Sequence, residues 1–203
     1  MASIYDLKPR FQALLRPLCR GLASAGVSAN QVTVAAVLLS AAGGGAILIW
    51  PEANWPLLAL PGVLFARMAL NAIDGMLARE HDMRSRLGAM LNEIGDVVSD
   101  AVLYLPLALV PGISGWLVVV IVVTATIAET TGVAAQQIGA SRCYNGPMGK
   151  SDRAFAFGLL ALLLGIGVAA GVWVDILLAL VLLLCAATIV NRVVEALAQG
   201  DGE

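Results

Sequence analysis

Between Asn71 and Asp100 the chain reads NAIDGMLAREHDMRSRLGAMLNEIGDVVSD, with polar residues at helical spacings inside long apolar runs. Asn71 and Asp74 lie three residues apart and Ala78 four beyond Asp74, so all three share one helix face. Asn92, Asp96 and Asp100, each four apart, form a stripe along the following helix, with Glu93 turned roughly 100° from Asn92. Carboxylates in apolar surroundings are tolerated when cations, protons or water meet them. Helix-to-helix hydrogen bonding explains one buried Asn but poorly explains three aspartates, so the cluster reads as a functional site. Gly75, directly after Asp74, weakens its helix and allows another group to come close to the backbone.

The elements that hold these residues are membrane helices. Of 203 residues 60% are hydrophobic and only 13% charged, and the mean hydropathy is +0.88, far more apolar than a soluble domain. A bilayer core of roughly 30 Å needs about 20 apolar residues per helix. Six stretches qualify, near 30–50, 55–78, 88–109, 113–138, 154–173 and 175–195. The expected fold is therefore all-α, a six-transmembrane-helix bundle forming a single membrane domain over 1–203. Residues 3–22 mix Phe11, Leu14, Leu15 and Leu18 with Lys8, Arg10, Arg16 and Arg20, which predicts an interfacial amphipathic helix, broken into pieces by Pro9 and Pro17. Ser28 or Asn30 is placed to cap the first span, and Gly43, Gly44 and Gly45 thin it for close helix packing. The mixed first 30 residues do not read as a signal peptide.

The net charge of −2 conceals an asymmetry among the connections. Lys and Arg gather before the first span, between the second and third (Arg79, Arg84, Arg86), and between the fourth and fifth (Arg142, Lys150, Arg153), while 51–54, 111–115 and 171–175 have none. The positive-inside rule then puts both termini and the polar cluster on the cytoplasmic side, in keeping with a bacterial inner membrane. The turn at 80–87 is short, so the second and third spans are antiparallel neighbours whose polar ends meet. Cys19, Cys143 and Cys185 give no disulfide framework, and no nucleic-acid partner is expected.

At these residues the chain resembles the CDP-alcohol phosphotransferases, whose signature is DxxDGxxAR followed, after about eight residues, by GxxxDxxxD. Here it reads NxxDGxxAR, eight residues, then GxxxNxxxD, through Asn71, Asp74, Gly75, Ala78, Arg79, Gly88, Asn92 and Asp96. The resemblance implies transfer of a substituted phosphate from a CDP-linked lipid, CDP-diacylglycerol above all, to an alcohol acceptor with release of CMP. It further implies a divalent metal, magnesium or manganese as one or two ions, at Asn71, Asp74, Asn92 and Asp96. Asp96 would be the catalytic base, and Gly75, Ala78, Arg79 and Gly88 would bind the CDP donor. Lys150 and Arg153 would bind the acceptor, and a homodimer is compatible with the family.

The sequence departs from the signature where Asn71 and Asn92 replace aspartates. A carboxamide offers magnesium an oxygen but no charge, so two carboxylates face the metal where the signature has four. Weaker metal binding before the donor arrives is the expected consequence. A member that binds nucleotide or lipid without turnover is one alternative, and a small cation- or proton-coupled transporter is another. Against a transporter, the acids cluster at one end, with no polar trail toward the opposite connections. Asp100, one turn beyond Asp96, reads either as a partner to it or as a water-bound polar residue. Glu129, within a run of Thr and Gln residues, is expected to line the acceptor pocket or to pair with Arg67, the one cation inside a span.

Overall fold

The computed structural model describes residues 4–200, with side chains from Phe11 to Gln199. Among them are seven α-helices, two 3-10 turns and no strand. The helices are α1 (Ile4–Ser24), α2 (Ala29–Ile49), α3 (Asn54–Glu80), α4 (Arg86–Tyr104), α5 (Gly115–Ala134), α6 (Lys150–Gly165) and α7 (Val172–Gly200), with 3-10 turns at Leu105–Leu109 and Ala135–Ile138.

Among the described residues four stretches are long and apolar enough to cross a membrane: Ala29–Ile49, Asn54–Glu80, Gly115–Ile138 and Val172–Gln199. The expected third and fifth spans fold as helices but fall outside this set among the described residues. α4 has 19 residues and carries Arg86, Glu93, Asp96 and Asp100, whereas α6 has only 16. Apolar side chains face outward along the long helices, Leu38 at 64%, Leu183 at 67% and Val190 at 60% exposure, as a lipid solvent allows. Trp50 and Trp55 pack together with ring centroids 5.3 Å apart at the α2–α3 connection, and Trp116 and Trp173 stand at the starts of α5 and α7. Indole rings favour such levels at a membrane surface.

The chain groups into two compact units, one of residues up to 42 with 62–99, the other of 43–61 with residues from 100 onward. In the first unit, α1 turns Leu15, Cys19 and Leu22 inward against Ala29 and Val32 of α2 and Ile73, Met76 and Leu77 of α3. These positions recur at helical spacing, and their burial holds α1 helical through Pro17, where one backbone donor is missing. The expected break into pieces does not occur. Ser3 and the side chains of Lys8 and Arg10 lie outside the described residues, while Leu14 and Leu18 face outward. Exposed Arg16 donates two hydrogen bonds to Glu80, at 2.9 and 3.1 Å, and Glu80 holds its guanidinium pKa above the ordinary value. Burial, in contrast, pushes the Cys19 thiol pKa above its ordinary value.

Helix starts follow from local sequence. Ser28 Oγ accepts from the Gln31 amide at 3.3 Å while Gln31 Oε1 accepts from the Ser28 amide at 2.9 Å, a reciprocal capping box. Ser28, rather than Asn30, is thus the cap of α2. Gly26, at φ +77°, supplies the left-handed residue that ends α1.

In the second unit α5 packs along α7, and Tyr104 stacks on Phe157 at 4.3 Å between ring centroids. α2 touches α4 through Gly44, where a Cβ would run into the Val102 carbonyl, whereas a Cβ on Gly45 would meet nothing within 4 Å. Gly44→Ala should therefore lower the thermal midpoint in detergent by an amount equivalent to about 1–3 kcal/mol, and Gly45→Ala should leave it unchanged or raise it slightly. Equal midpoints for the two variants would contradict this packing.

Candidate functional site

The site begins with the turn between α3 and α4. Ser85 caps α4, its Oγ accepting from the Gly88 amide at 2.9 Å, and Asp82 takes the left-handed conformation, φ 53°, that closes the turn. A Cβ on Gly88 would stand 2.5 Å from Asn30 Oδ1 and 2.9 Å from Ser85 Oγ, so Gly88 is where α2, the turn and α4 converge. These contacts bring the polar end of α3 beside that of α4, as the short connection predicts.

Between these ends and α2 lies a cavity of about 450 Å³. Asn71, Asp74, Gly75, Ala78, Arg79, Gly88 and Asn92 all line it, together with Thr33, Asn30, Arg84 and Ser85. Seven of the eight signature positions thus share one wall. The eighth, Asp96, stands just outside the lining and is tied to it by Asn71, whose Nδ2 donates to Asp96 Oδ1 at 3.1 Å.

Each acid has protein donors. Asp74 is buried at 5% exposure, and its Oδ2 accepts from Thr33 Oγ1 at 2.9 Å. Arg67, buried at 2%, donates from Nη2 to the Asp96 main-chain oxygen at 3.1 Å, and the same nitrogen lies 3.9 Å from Asp96 Oδ1. The intramembrane cation is therefore the partner of Asp96. Arg79 folds back so that its guanidinium would meet a Cβ on Gly75 at 3.3 Å. Glycine at 75 leaves the cavity wall open under an exposed cation, an arrangement suited to an anionic group reaching the helix.

Thr33 has no distinguishing signal in sequence: it is one threonine in an apolar run, and only the tertiary contact gives it a role. Glu129, expected beside the acceptor pocket or Arg67, instead anchors a buried ion network in the second unit. Arg153, with its side chain fully buried, donates to Asp100 Oδ2 at 2.9 Å, Glu129 Oε1 at 3.0 Å and the Met148 carbonyl at 3.1 Å. Arg192 Nη1 lies 3.3 Å from Glu129 Oε2 and donates to the Ala128 carbonyl. Arg142 approaches the same carboxylate at 3.9 Å and lies over the Tyr144 ring. Lys150 opens α6. The Arg153 fork is thus fully engaged within the protein, as is common for buried arginine.

Residues 27–194 match the family model described as CDP-alcohol phosphatidyltransferase. The chain belongs to that family. It is a CDP-alcohol phosphotransferase, and its reaction class is phosphatidyl transfer in phospholipid synthesis. The inner membrane protein YnbA of Escherichia coli (strain K12) is 44% identical over 190 residues, 94% of either chain. Among solved structures, the Mycobacterium tuberculosis phosphatidylinositol phosphate synthase (PgsA1) with CDP-DAG bound is similar in fold at a TM-score of 0.75 and 20% identity, covering 89% of this chain and 92% of that one. The same synthase in complex with manganese and citrate also gives 0.75 at 20% identity, covering 89% and 88%.

The family depends on a metal, and the donor set decides how this chain would meet it. Asp74, Asn71 and Asn92 line one cavity, and carboxylate and carboxamide oxygens are the ligand chemistry of a hard divalent cation. Among the described residues, however, no three side chains of His, Cys, Asp or Glu gather as a metal group. Carboxylate and carboxamide together still fit a divalent cation at this cavity.

The ion network yields a stability test. Glu129→Ala removes the carboxylate shared by Arg153, which keeps Asp100, and by buried Arg192, at a cost of about 3–5 kcal/mol. Thermal unfolding in micelles should show a large drop, and a wild-type midpoint would contradict the network's structural role.

Proposed function

We propose that this enzyme transfers the phosphatidyl group of CDP-diacylglycerol to an alcohol, releasing CMP, with the donor's pyrophosphate held in the cavity at the facing ends of α3 and α4. The observation that carries the proposal is the convergence of Asn71, Asp74, Gly75, Ala78, Arg79, Gly88 and Asn92 on that one cavity. A synthase of the same fold was solved with CDP-DAG bound, which supports the choice of donor.

Asp74, with Asn71 and Asn92 as neutral oxygen ligands and Asp96 behind them, would hold the metal. Bound there, a magnesium or manganese ion supplies positive charge against the charge developing on the pyrophosphate. Thr33 fixes the Asp74 carboxylate by its 2.9 Å hydrogen bond, and Arg79 pairs with donor phosphate oxygens. The acceptor hydroxyl oxygen attacks the phosphorus nearer the diacylglycerol, its proton passes to the Asp96 carboxylate, and the phosphorus–oxygen bond to CMP breaks in line. Asn71 and Arg67 hold Asp96 in place for that transfer. Gly75 and Gly88 leave room for the nucleotide against the helices.

The wider setting belongs to the same proposal. Six membrane crossings, with α1 in the headgroup plane and both termini and the site toward the cytoplasm, satisfy the placement of Lys and Arg. The relative YnbA is named an inner membrane protein, and the same membrane is proposed for this enzyme. Lys150, at the head of α6, is the proposed contact for an acceptor's polar group. Arg153 would assist by holding the loop through Met148.

Purified enzyme given CDP-diacylglycerol, manganese or magnesium and a panel of alcohols should release CMP. Asp96→Ala should reduce the rate by roughly 10²–10⁴-fold, the usual weight of a positioned base. Asp74→Ala should abolish release, and Arg79→Ala should lower it with a raised KM for the donor. Absence of release with every acceptor, alongside retained CDP-lipid binding, would instead mark a member that binds without turnover.

A further inference from the structure

Three sides of α1 carry different chemistry, and one of them belongs to the cavity. Leu15, Cys19 and Leu22 pack on α2 and α3, and Phe11 and Gln12, a turn earlier on that side, line the cavity together with Asn71, Asp74 and Gly75. Leu14 and Leu18, four residues apart, form an apolar flank exposed at 75% and 54%. Arg16 and Arg20, also four apart, form a cationic flank, with Arg16 half-buried and Arg20 exposed. The protein itself holds α1 modestly. Cys19 is its one buried residue among the described side chains, and the clasp from Arg16 to Glu80 lies open to solvent on both sides, where ion pairs add little. Gly26, at φ +77° with open space where a Cβ would stand, joins α1 to α2 and leaves that joint unobstructed. A helix with one apolar and one cationic flank suits an anionic bilayer surface, leucines among the acyl chains and cations at the phosphates.

We propose that α1 is a membrane-dependent wall of this cavity: an anionic lipid surface engages Leu14, Leu18 and Arg20, and that attachment seats Phe11 and Gln12 where the cavity's ligand meets them. Two states of α1 are involved, one seated as in the structure and one swung away about Gly26, with the cavity missing that wall. The Arg16–Glu80 clasp sets where α1 seats, since Glu80 ends α3 directly after Arg79. Anionic lipid and nucleotide both favour the seated state, so each tightens the binding of the other by the same factor. Surface charge alone acts the opposite way, because an anionic bilayer repels nucleotide phosphates. The inference rests on the phosphatidyl-transfer reading only for its choice of a CDP-bearing ligand. It makes Phe11 and Gln12 positioning residues and gives the exposed flanks of α1 a regulatory role.

The test places full-length enzyme in nanodiscs of phosphatidylcholine alone and of equal parts phosphatidylcholine and phosphatidylglycerol, with manganese present in both. Radiolabelled CDP binding and hydrogen–deuterium exchange over residues 11–24 are measured in each. CDP should bind about 5-fold more tightly in the anionic discs, the weight of one cation at an anionic surface. Exchange over 11–24 should slow in those discs, and slow further when CDP is added. Leu18→Ser with Arg20→Gln, which alters both flanks and leaves the cavity and the clasp intact, should bind CDP like the wild type in phosphatidylcholine and gain nothing from phosphatidylglycerol. Gln12→Ala should weaken CDP binding in both discs. Equal or weaker wild-type CDP binding in the anionic discs would overturn the inference, as would exchange over 11–24 that ignores lipid composition. The wild-type comparison decides the matter even if a variant fails to fold. CMP release from CDP-diacylglycerol in the same discs separates the two readings. Turnover with CDP affinity indifferent to lipid contradicts this inference alone, and lipid-dependent CDP binding without turnover contradicts the transferase reading alone.

Discussion

The hydrogen bond from Asn71 to Asp96 joins α3 to α4 at the point where both carry polar groups into apolar surroundings. A carboxylate at this depth is expensive unless donors meet it. Arg67, one turn before Asn71 on α3, reinforces the same junction through the Asp96 main chain and carboxylate. The cavity depends on this junction. With α3 and α4 held end to end and the turn between them closed by Ser85, the remaining signature residues fall along one wall, and α2 completes it through Thr33 and Asn30. Where the family signature has aspartate at 71 this chain has asparagine, and its amide is the donor that fixes Asp96.

In the second unit charge is handled differently. Glu129, Asp100, Arg153 and Arg192 neutralise one another away from solvent, and the loop before α6 is fastened to α7 by Thr188, whose Oγ1 accepts from the Met148 amide at 2.9 Å. Gly132, where a Cβ would strike the Cys143 carbonyl, lets that loop lie directly on α5. The network is a scaffold of mutually dependent ions, each costly if left alone. Its value lies in fixing one arrangement of α5, α6 and α7.

Much of the site was legible in sequence because spacing maps directly onto helix faces. Asn71, Asp74 and Ala78 share a face by arithmetic, and a turn of few residues forces α3 and α4 to meet at their polar ends. The match of residues at fixed intervals with a family signature supplied the rest of that reading. What spacing could not show was pairing across elements. Thr33 looks like any threonine in an apolar run, and Arg67 was open to Glu129 or to other acids until the fold set it against Asp96. Glu129, which its place as an acid inside an apolar span made a candidate for the acceptor pocket or for Arg67, stands at the centre of an ion network because three arginines from separate segments reach it. α1 ran through Pro17, since buried Cys19 and the partly buried Leu15 and Leu22 outweigh one missing backbone bond.

The central proposal is that the facing ends of α3 and α4 hold the donor's pyrophosphate in the cavity lined by Asn71, Asp74, Gly75, Ala78, Arg79, Gly88 and Asn92. An experimental structure of the enzyme with CDP and manganese, with the metal located by its anomalous scattering, tests this most directly. The account predicts the pyrophosphate in this cavity with manganese beside Asp74, Arg79 on a phosphate oxygen, and the Asn71–Asp96 hydrogen bond intact. A pyrophosphate or manganese bound outside this cavity would contradict it.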